Sequence, residues 1–68
     1  MELSARNQLR GVVKSVRMGA VMSEVVVDVG GQEVVAAITA RSAETLAVRE
    51  GVDIIVVIKA TDVMLARP

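Results

Sequence analysis

The chain of 68 residues contains no cysteine, no histidine and no phenylalanine, tyrosine or tryptophan. Without cysteine there can be no disulfide, and without cysteine and histidine there is no zinc site, imidazole base or thiolate nucleophile. The eight acidic residues are scattered and include no clustered pair of the kind that carboxylate catalysis uses. We therefore expect a protein that is not an enzyme and that holds neither a cofactor nor a free metal cation.

The charge of the chain is balanced, with eight basic and eight acidic residues. Binding to a phosphate backbone needs a basic excess, and single-strand binding needs aromatic stacking surfaces; this sequence has neither. No apolar run approaches the roughly 20 residues that cross a bilayer, and charged residues interrupt the N-terminal stretch where a signal peptide would lie. We expect neither nucleic acid nor a membrane as a partner, and a cytoplasmic location.

Apolar residues make up 53% of the chain, which is high for its length. The length corresponds to one domain, residues 1–68, and a folded domain of this size hides only about 60% of its unfolded surface. Part of the apolar surface should therefore be shared with other copies of the chain. The composition predicts a homo-oligomer.

Alternation of β-branched and polar residues predicts strands over residues 9–17, 22–29 and 32–39. The glycine pair Gly30 and Gly31 separates the second and third strands, and two glycines can adopt the positive φ angles of a type I′ turn. A short helix should follow, with Thr39 or Ser42 as its N-cap. Residues 53–59 read as a fourth strand buried on both faces, and residues 63–66 as a fifth.

This order of elements predicts an all-β fold. It fits a small five-stranded OB-like Greek-key barrel with one short helix between strands 3 and 4. An SH3-like barrel or a short sandwich fits the order of elements almost as well.

Polar residues that donate hydrogen bonds are concentrated in three places: residues 4–7, the start of the helix, and residues 59–61. Hydroxyls, a guanidinium, an ammonium and free backbone N–H groups at element ends are what an inorganic oxyanion requires. Each residue also has a simpler explanation, because Thr39 or Ser42 can be only a helix cap and Arg6 only a solvated cation. Lys59 ends an apolar strand, where its stem can be buried and its charge would need a partner, such as Asp62.

The sequence resembles the molybdopterin-binding-protein (Mop) or molbindin family over residues 3–65. The resemblance lies in Ser-Ala-Arg-Asn-Gln-Leu at 4–9, Ile-Thr at 38–39 with Ser42, and Ile-Lys-Ala at 58–60. It implies an OB-like barrel that assembles as a hexamer, a trimer of dimers, with molybdate or tungstate between subunits. The ligand so implied is the tetrahedral oxyanion and not the pterin.

Residue by residue, the resemblance implies an oxyanion site made of Ser4, Ala5, Arg6, Thr39, Lys59 and Ala60, with Ser42 beside it. The sequence departs from the family pattern at Met22, where Asn is expected, and at Ala47, where Gly is common. If an Asn at position 22 serves a second class of site in the family, that site is in doubt here. The resemblance implies binding and storage of the oxyanion. A rival hypothesis is a small interaction module that docks onto a larger partner without binding the oxyanion.

Overall fold

The computed structural model describes residues 5–68, which form four antiparallel strands, one α-helix and one 3-10 turn. The strands are β1 (Asn7–Met18), β2 (Met22–Val29), β3 (Gln32–Thr39) and β4 (Asp53–Ile58), and the helix α1 (Ala40–Thr45) lies between β3 and β4. The strand order in the sheet is β3-β2-β1-β4. The all-β fold with one short helix between the third and fourth strands is therefore confirmed. No helix within residues 5–68 is long and apolar enough to cross a membrane.

The hairpin of β2 and β3 forms as the sequence predicts. Val29 pairs with Gln32, and Gly30 and Gly31 between them have φ angles of 58° and 88°. Both angles lie in the region that a type I′ turn requires and that glycine adopts without strain. The alternation in β2 places Val25 and Val27 in the core, while Glu24 and Asp28 face outward.

The core of the single chain is small. Its buried apolar residues are Val13, Val25, Val27 and Ala43. β4 is not buried on both faces, as the sequence predicted, because its residues alternate between half-buried and exposed. Ile55 and Val57 remain about 40% exposed.

The predicted fifth strand is wrong for the single chain. Residues 60–62 form the 3-10 turn, and residues 63–68 that follow it have no strand pairing. Met64 and Leu65 are 92% and 95% exposed. A strand needs a neighbour to supply its hydrogen bonds, and no edge of the described sheet receives this segment.

The helix ends in a Schellman motif that uses a residue poorly suited to it. The Val48 amide donates to the Ala43 carbonyl, the Ala47 amide donates to the Glu44 carbonyl, and Ala47 takes a φ of 52°. This left-handed conformation favours glycine, which gives a physical reason for the Gly that the resemblance leads us to expect at position 47.

We expect Ala47→Gly to stabilise the protein by about 0.5–1 kcal/mol, because relief of the left-handed strain exceeds the added chain entropy. Urea unfolding of the two proteins measures the difference. The control is Ala37→Gly on exposed strand β3, where the same change should destabilise by about 0.5–1 kcal/mol. A loss of stability in Ala47→Gly would contradict the prediction.

Candidate functional site

Four of the predicted site residues lie together where β1 begins and β4 ends: Ala5, Arg6, Lys59 and Ala60, here called the strand-end group. Asn7 is paired with Ile58 in the sheet, so Arg6 and Lys59 are each one residue beyond the last paired position. Neighbouring positions across antiparallel strands bring side chains within about 5.5 Å at their Cβ atoms. The structure thus brings the two cations to one place, although they are 53 residues apart in sequence. Ser4 lies outside the described residues.

Local hydrogen bonds hold the backbone of the strand-end group. The side chain of Asn7 donates to the Ile58 carbonyl at 3.1 Å, and the side chain of Gln8 donates to the Ala5 carbonyl at 3.3 Å. The Asp62 amide donates to the Lys59 carbonyl at 2.9 Å and so turns the chain after β4. The sequence placed Asn7 among the polar donors of residues 4–7 but did not predict that Asn7 and Gln8 hold this backbone.

Within residues 5–68, Arg6 and Lys59 form no ion pair. Among residues 5–68 the one ion pair joins Lys14 and Glu33, so Lys59 does not pair with Asp62. The side chains of Arg6 and Lys59 are exposed, and the expected burial of the Lys59 stem is wrong for the single chain. Both cations are therefore accessible to a ligand.

The other two predicted residues, Thr39 and Ser42, lie at the start of α1 and are here called the helix group. Thr39 is the N-cap, and its Oγ1 accepts a hydrogen bond from the Ser42 amide at 3.0 Å. The same hydroxyl donates to the Ser42 Oγ at 2.7 Å. The capping role of Thr39 is confirmed, and Ser42 as the alternative cap is wrong. Because Thr39 donates to it, the Ser42 hydroxyl keeps its own proton for a further acceptor.

A cavity of about 400 Å³ opens beside the helix group, lined by Thr39, Arg41, Ser42, Thr45 and Leu46. Sequence reasoning missed Arg41 and Thr45. Their signal was the spacing of four residues on the predicted helix, which places them on one face.

The two groups lie at opposite ends of β1. The strand-end group follows from the pairing of Asn7 with Ile58, whereas Thr39 pairs with Met22 beside the other end, where Met18 pairs with Ser23. Thr39 also lies on β3, which is separated from β4 by β2 and β1 in the sheet. No residue of the strand-end group lines the cavity beside the helix group. One chain therefore does not bring the two groups together.

The ion pair of Lys14 and Glu33 lies on the outer surface, away from both groups. A hydrogen bond and the charge of Glu33 raise the pKa of Lys14 above its usual value of 10.5. Because the pKa of Lys14 is raised in the folded protein, the ion pair stabilises the fold at pH values below the usual pKa of lysine. This stabilisation is lost as the pH rises through the raised pKa. At neutral pH the pair is intact, and because it is exposed it contributes little.

Within the described part of the chain, no group of three or more acidic, histidine or cysteine side chains is placed to hold a metal ion. The donor set of the two groups is instead cationic and hydroxylic. Such a set binds anions with oxygen acceptors.

Comparison with known proteins gives one consistent result. Residues 3–65 match the family model described as the TOBE domain. The chain is 48% identical over 66 residues to molybdenum-pterin-binding protein 3 of Clostridium pasteurianum, covering 96% of this chain and 97% of that protein. The structure matches a molybdate-binding protein from Sporomusa ovata with a TM-score of 0.93 and 37% identity, covering 98% of this chain and 100% of that one.

A further solved structure is that of the cytoplasmic molybdate-binding protein ModG with molybdate bound. Its TM-score is 0.84 at 38% identity, and the match covers 88% of this chain and 43% of that one.

Proposed function

The chain belongs to the TOBE-domain family, and from this premise we propose that it binds molybdate or tungstate between subunits of a homo-oligomer and serves to store the oxyanion. The relatives named for molybdenum or molybdate match it over nearly its whole length. The proposed ligands are the predicted residues of the strand-end group and the helix group, together with Ser4. Because a relative described as cytoplasmic shares the fold, we place the protein in the same compartment.

The observation that carries the proposal is the separation of the two groups along β1. A tetrahedral oxyanion is small, and its donors must lie within about 3 Å of its oxygens. Within one chain the two groups lie at opposite ends of β1, and no residue of the strand-end group lines the cavity beside the helix group. Two copies can meet this requirement if the strand-end group of one faces the helix group of the other.

The proposed chemistry needs no catalysis. Molybdate carries two negative charges and four acceptor oxygens, so Arg6 and Lys59 neutralise it. The hydroxyls of the helix group and the backbone N–H groups of Ala5 and Ala60 orient it. Nothing in this set is required to take or give a proton.

The surface of the single chain supports the proposed assembly. Residues 63–66, predicted to be a strand, are extended beyond the sheet with Met64 and Leu65 almost fully exposed. β4 lies at an edge of the described sheet and leaves Ile55 and Val57 exposed, and an apolar edge strand is normally covered. We propose that residues 63–66 pair with another copy, and that the assembly is the hexamer, a trimer of dimers, that the resemblance implies.

A second candidate is an interaction module that uses the same apolar surface to dock onto a larger partner. The exposure of Met64 and Leu65 favours it as much as it favours self-assembly. The two functions differ in their response to molybdate, because only the first depends on the oxyanion.

Thermal unfolding with added anions tests the proposed function. Molybdate and tungstate should both raise the melting temperature, because a ligand at 100 times its dissociation constant adds about 2.7 kcal/mol per linked site. Phosphate and chloride at the same ionic strength should raise the melting temperature much less. Coincident melting curves in molybdate and chloride would contradict the proposal and favour the interaction module.

A further inference from the structure

The cavity beside the helix group contains one charged residue, Arg41. Its other lining residues are three with hydroxyls, Thr39, Ser42 and Thr45, and the apolar Leu46. No carboxylate lines it. The lining therefore has a net positive charge and an excess of hydrogen-bond donors.

A second, larger groove of about 770 Å³ runs along β4 and differs in charge. Arg10 and Asp53 both line it, together with apolar residues such as Ile55 and Val57. Its opposite charges balance, and its walls are mainly apolar. Of the cavity and the groove, only the cavity beside the helix group has the net positive charge that favours an anion.

Two amides at the start of the helix already have partners within the chain. The Ser42 amide is already used by Thr39 Oγ1, and the Ala40 amide donates to the Val21 carbonyl at 2.7 Å. Arg41, by contrast, makes no ion pair with any residue of the range 5–68. Its guanidinium carries five N–H donors and a permanent positive charge.

We propose that Arg41 is a further anion-binding residue, which contributes a positive charge from the copy that supplies Thr39 and Ser42. This inference rests on the proposed function, because it assigns Arg41 to the same oxyanion site. The dianion then lies between Arg6 and Lys59 of one copy and Arg41 of the other. The anion then contacts positively charged side chains of both copies and so links them. The copy that supplies the hydroxyls also helps to neutralise the anion.

The test is molybdate binding by Arg41→Gln, measured by equilibrium dialysis with elemental analysis. Gln is a good helix former, so the exposed start of α1 should keep its fold. We expect the dissociation constant to rise about tenfold, as for the loss of one charged hydrogen bond in a partly exposed site. Arg41→Lys, which keeps the charge but loses the fork of donors, should lie between Arg41→Gln and the wild type. Added salt should narrow the difference, because it screens an exposed charge.

The matched control is Arg49→Gln, which removes the same charge from the loop between α1 and β4. Arg49 lines neither the cavity nor the groove. Removal of its charge should therefore change the affinity for molybdate by less than about twofold. If wild type binds molybdate and Arg41→Gln binds equally well, the assignment of Arg41 is wrong and the proposed function stands. An equal loss in Arg41→Gln and Arg49→Gln would also overturn it, since only overall charge would then matter. If wild type does not bind molybdate, both proposals fail.

Discussion

Replacement of either Arg6 or Lys59 by alanine is expected to weaken molybdate binding about tenfold to more than a hundredfold. Each substitution leaves the dianion with one positive charge fewer at the strand-end group. The loss of one charged hydrogen bond in a partly buried site costs about 1.5–3 kcal/mol. Titration calorimetry with molybdate measures the change.

The stability of the anion-free protein distinguishes this role from a structural one. Removal of one of two neighbouring cations relieves their repulsion, so the anion-free melting temperature should stay the same or rise slightly. The matched control is Lys14→Ala, since Lys14 is the chain's other lysine and pairs with Glu33 on the outer surface. Unchanged molybdate binding in both Arg6→Ala and Lys59→Ala would show that the site lies elsewhere.

Mixing two defective variants tests whether each site is shared between copies. One variant carries Arg6→Ala and Lys59→Ala; the other carries Thr39→Asp, which keeps an N-cap acceptor but places a negative charge against the anion. Each alone should bind poorly. If the two are unfolded together and refolded, about a quarter of the sites should combine intact halves and recover binding, because each site draws its two halves from separate copies. No recovery would mean that both halves come from one chain.

The substitution Leu65→Asp is expected to reduce the oligomer to smaller species at micromolar concentration. Leu65 is 95% exposed in the single chain, and burial against another copy would contribute about 2–3 kcal/mol per side chain. A carboxylate at that position would have to be desolvated in the interface. Sedimentation equilibrium measures the mass of the assembly.

A suitable control is Gln32→Asp, which adds the same charge at an exposed end of β3, and it should leave the mass unchanged. Wild-type protein that sediments as a monomer would refute the assembly outright. An unchanged oligomer in Leu65→Asp would show that residues 63–66 lie outside the interface.

The elements that could be predicted from the sequence are those decided by local forces. The glycines at 30 and 31 fix the β2–β3 hairpin, and Thr39 caps the helix because its hydroxyl reaches the amide three residues on. The burial of β4 and the pairing of residues 63–66 were not predictable in this way. Both depend on what covers an apolar surface, and a period-two pattern does not say which chain provides the cover.

Some features of the candidate site could also be predicted from the sequence, and others could not. The residue types that suit an oxyanion were visible in the sequence, as was the capping role of Thr39. That Arg6 and Lys59 are neighbours follows only from the pairing of Asn7 with Ile58, which joins residues 51 positions apart. The cavity at Arg41 was missed although all its lining residues lie within residues 39–46. The spacing of four residues between Arg41 and Thr45 places both on one face of the helix and was the local signal for it.

The separation of the two groups along β1 has a thermodynamic consequence under the proposed binding of the ion between copies. If each site needs two copies, the apparent affinity for molybdate depends on the protein concentration, and each bound ion tightens the contact between its two copies by the same free energy. Dilution of the protein, or dissociation of its copies, then releases the bound ion without any conformational change inside a chain. Under the proposed function, the storage capacity would belong to the assembly, and a cell would regulate it through the amount of protein as much as through the supply of the ion.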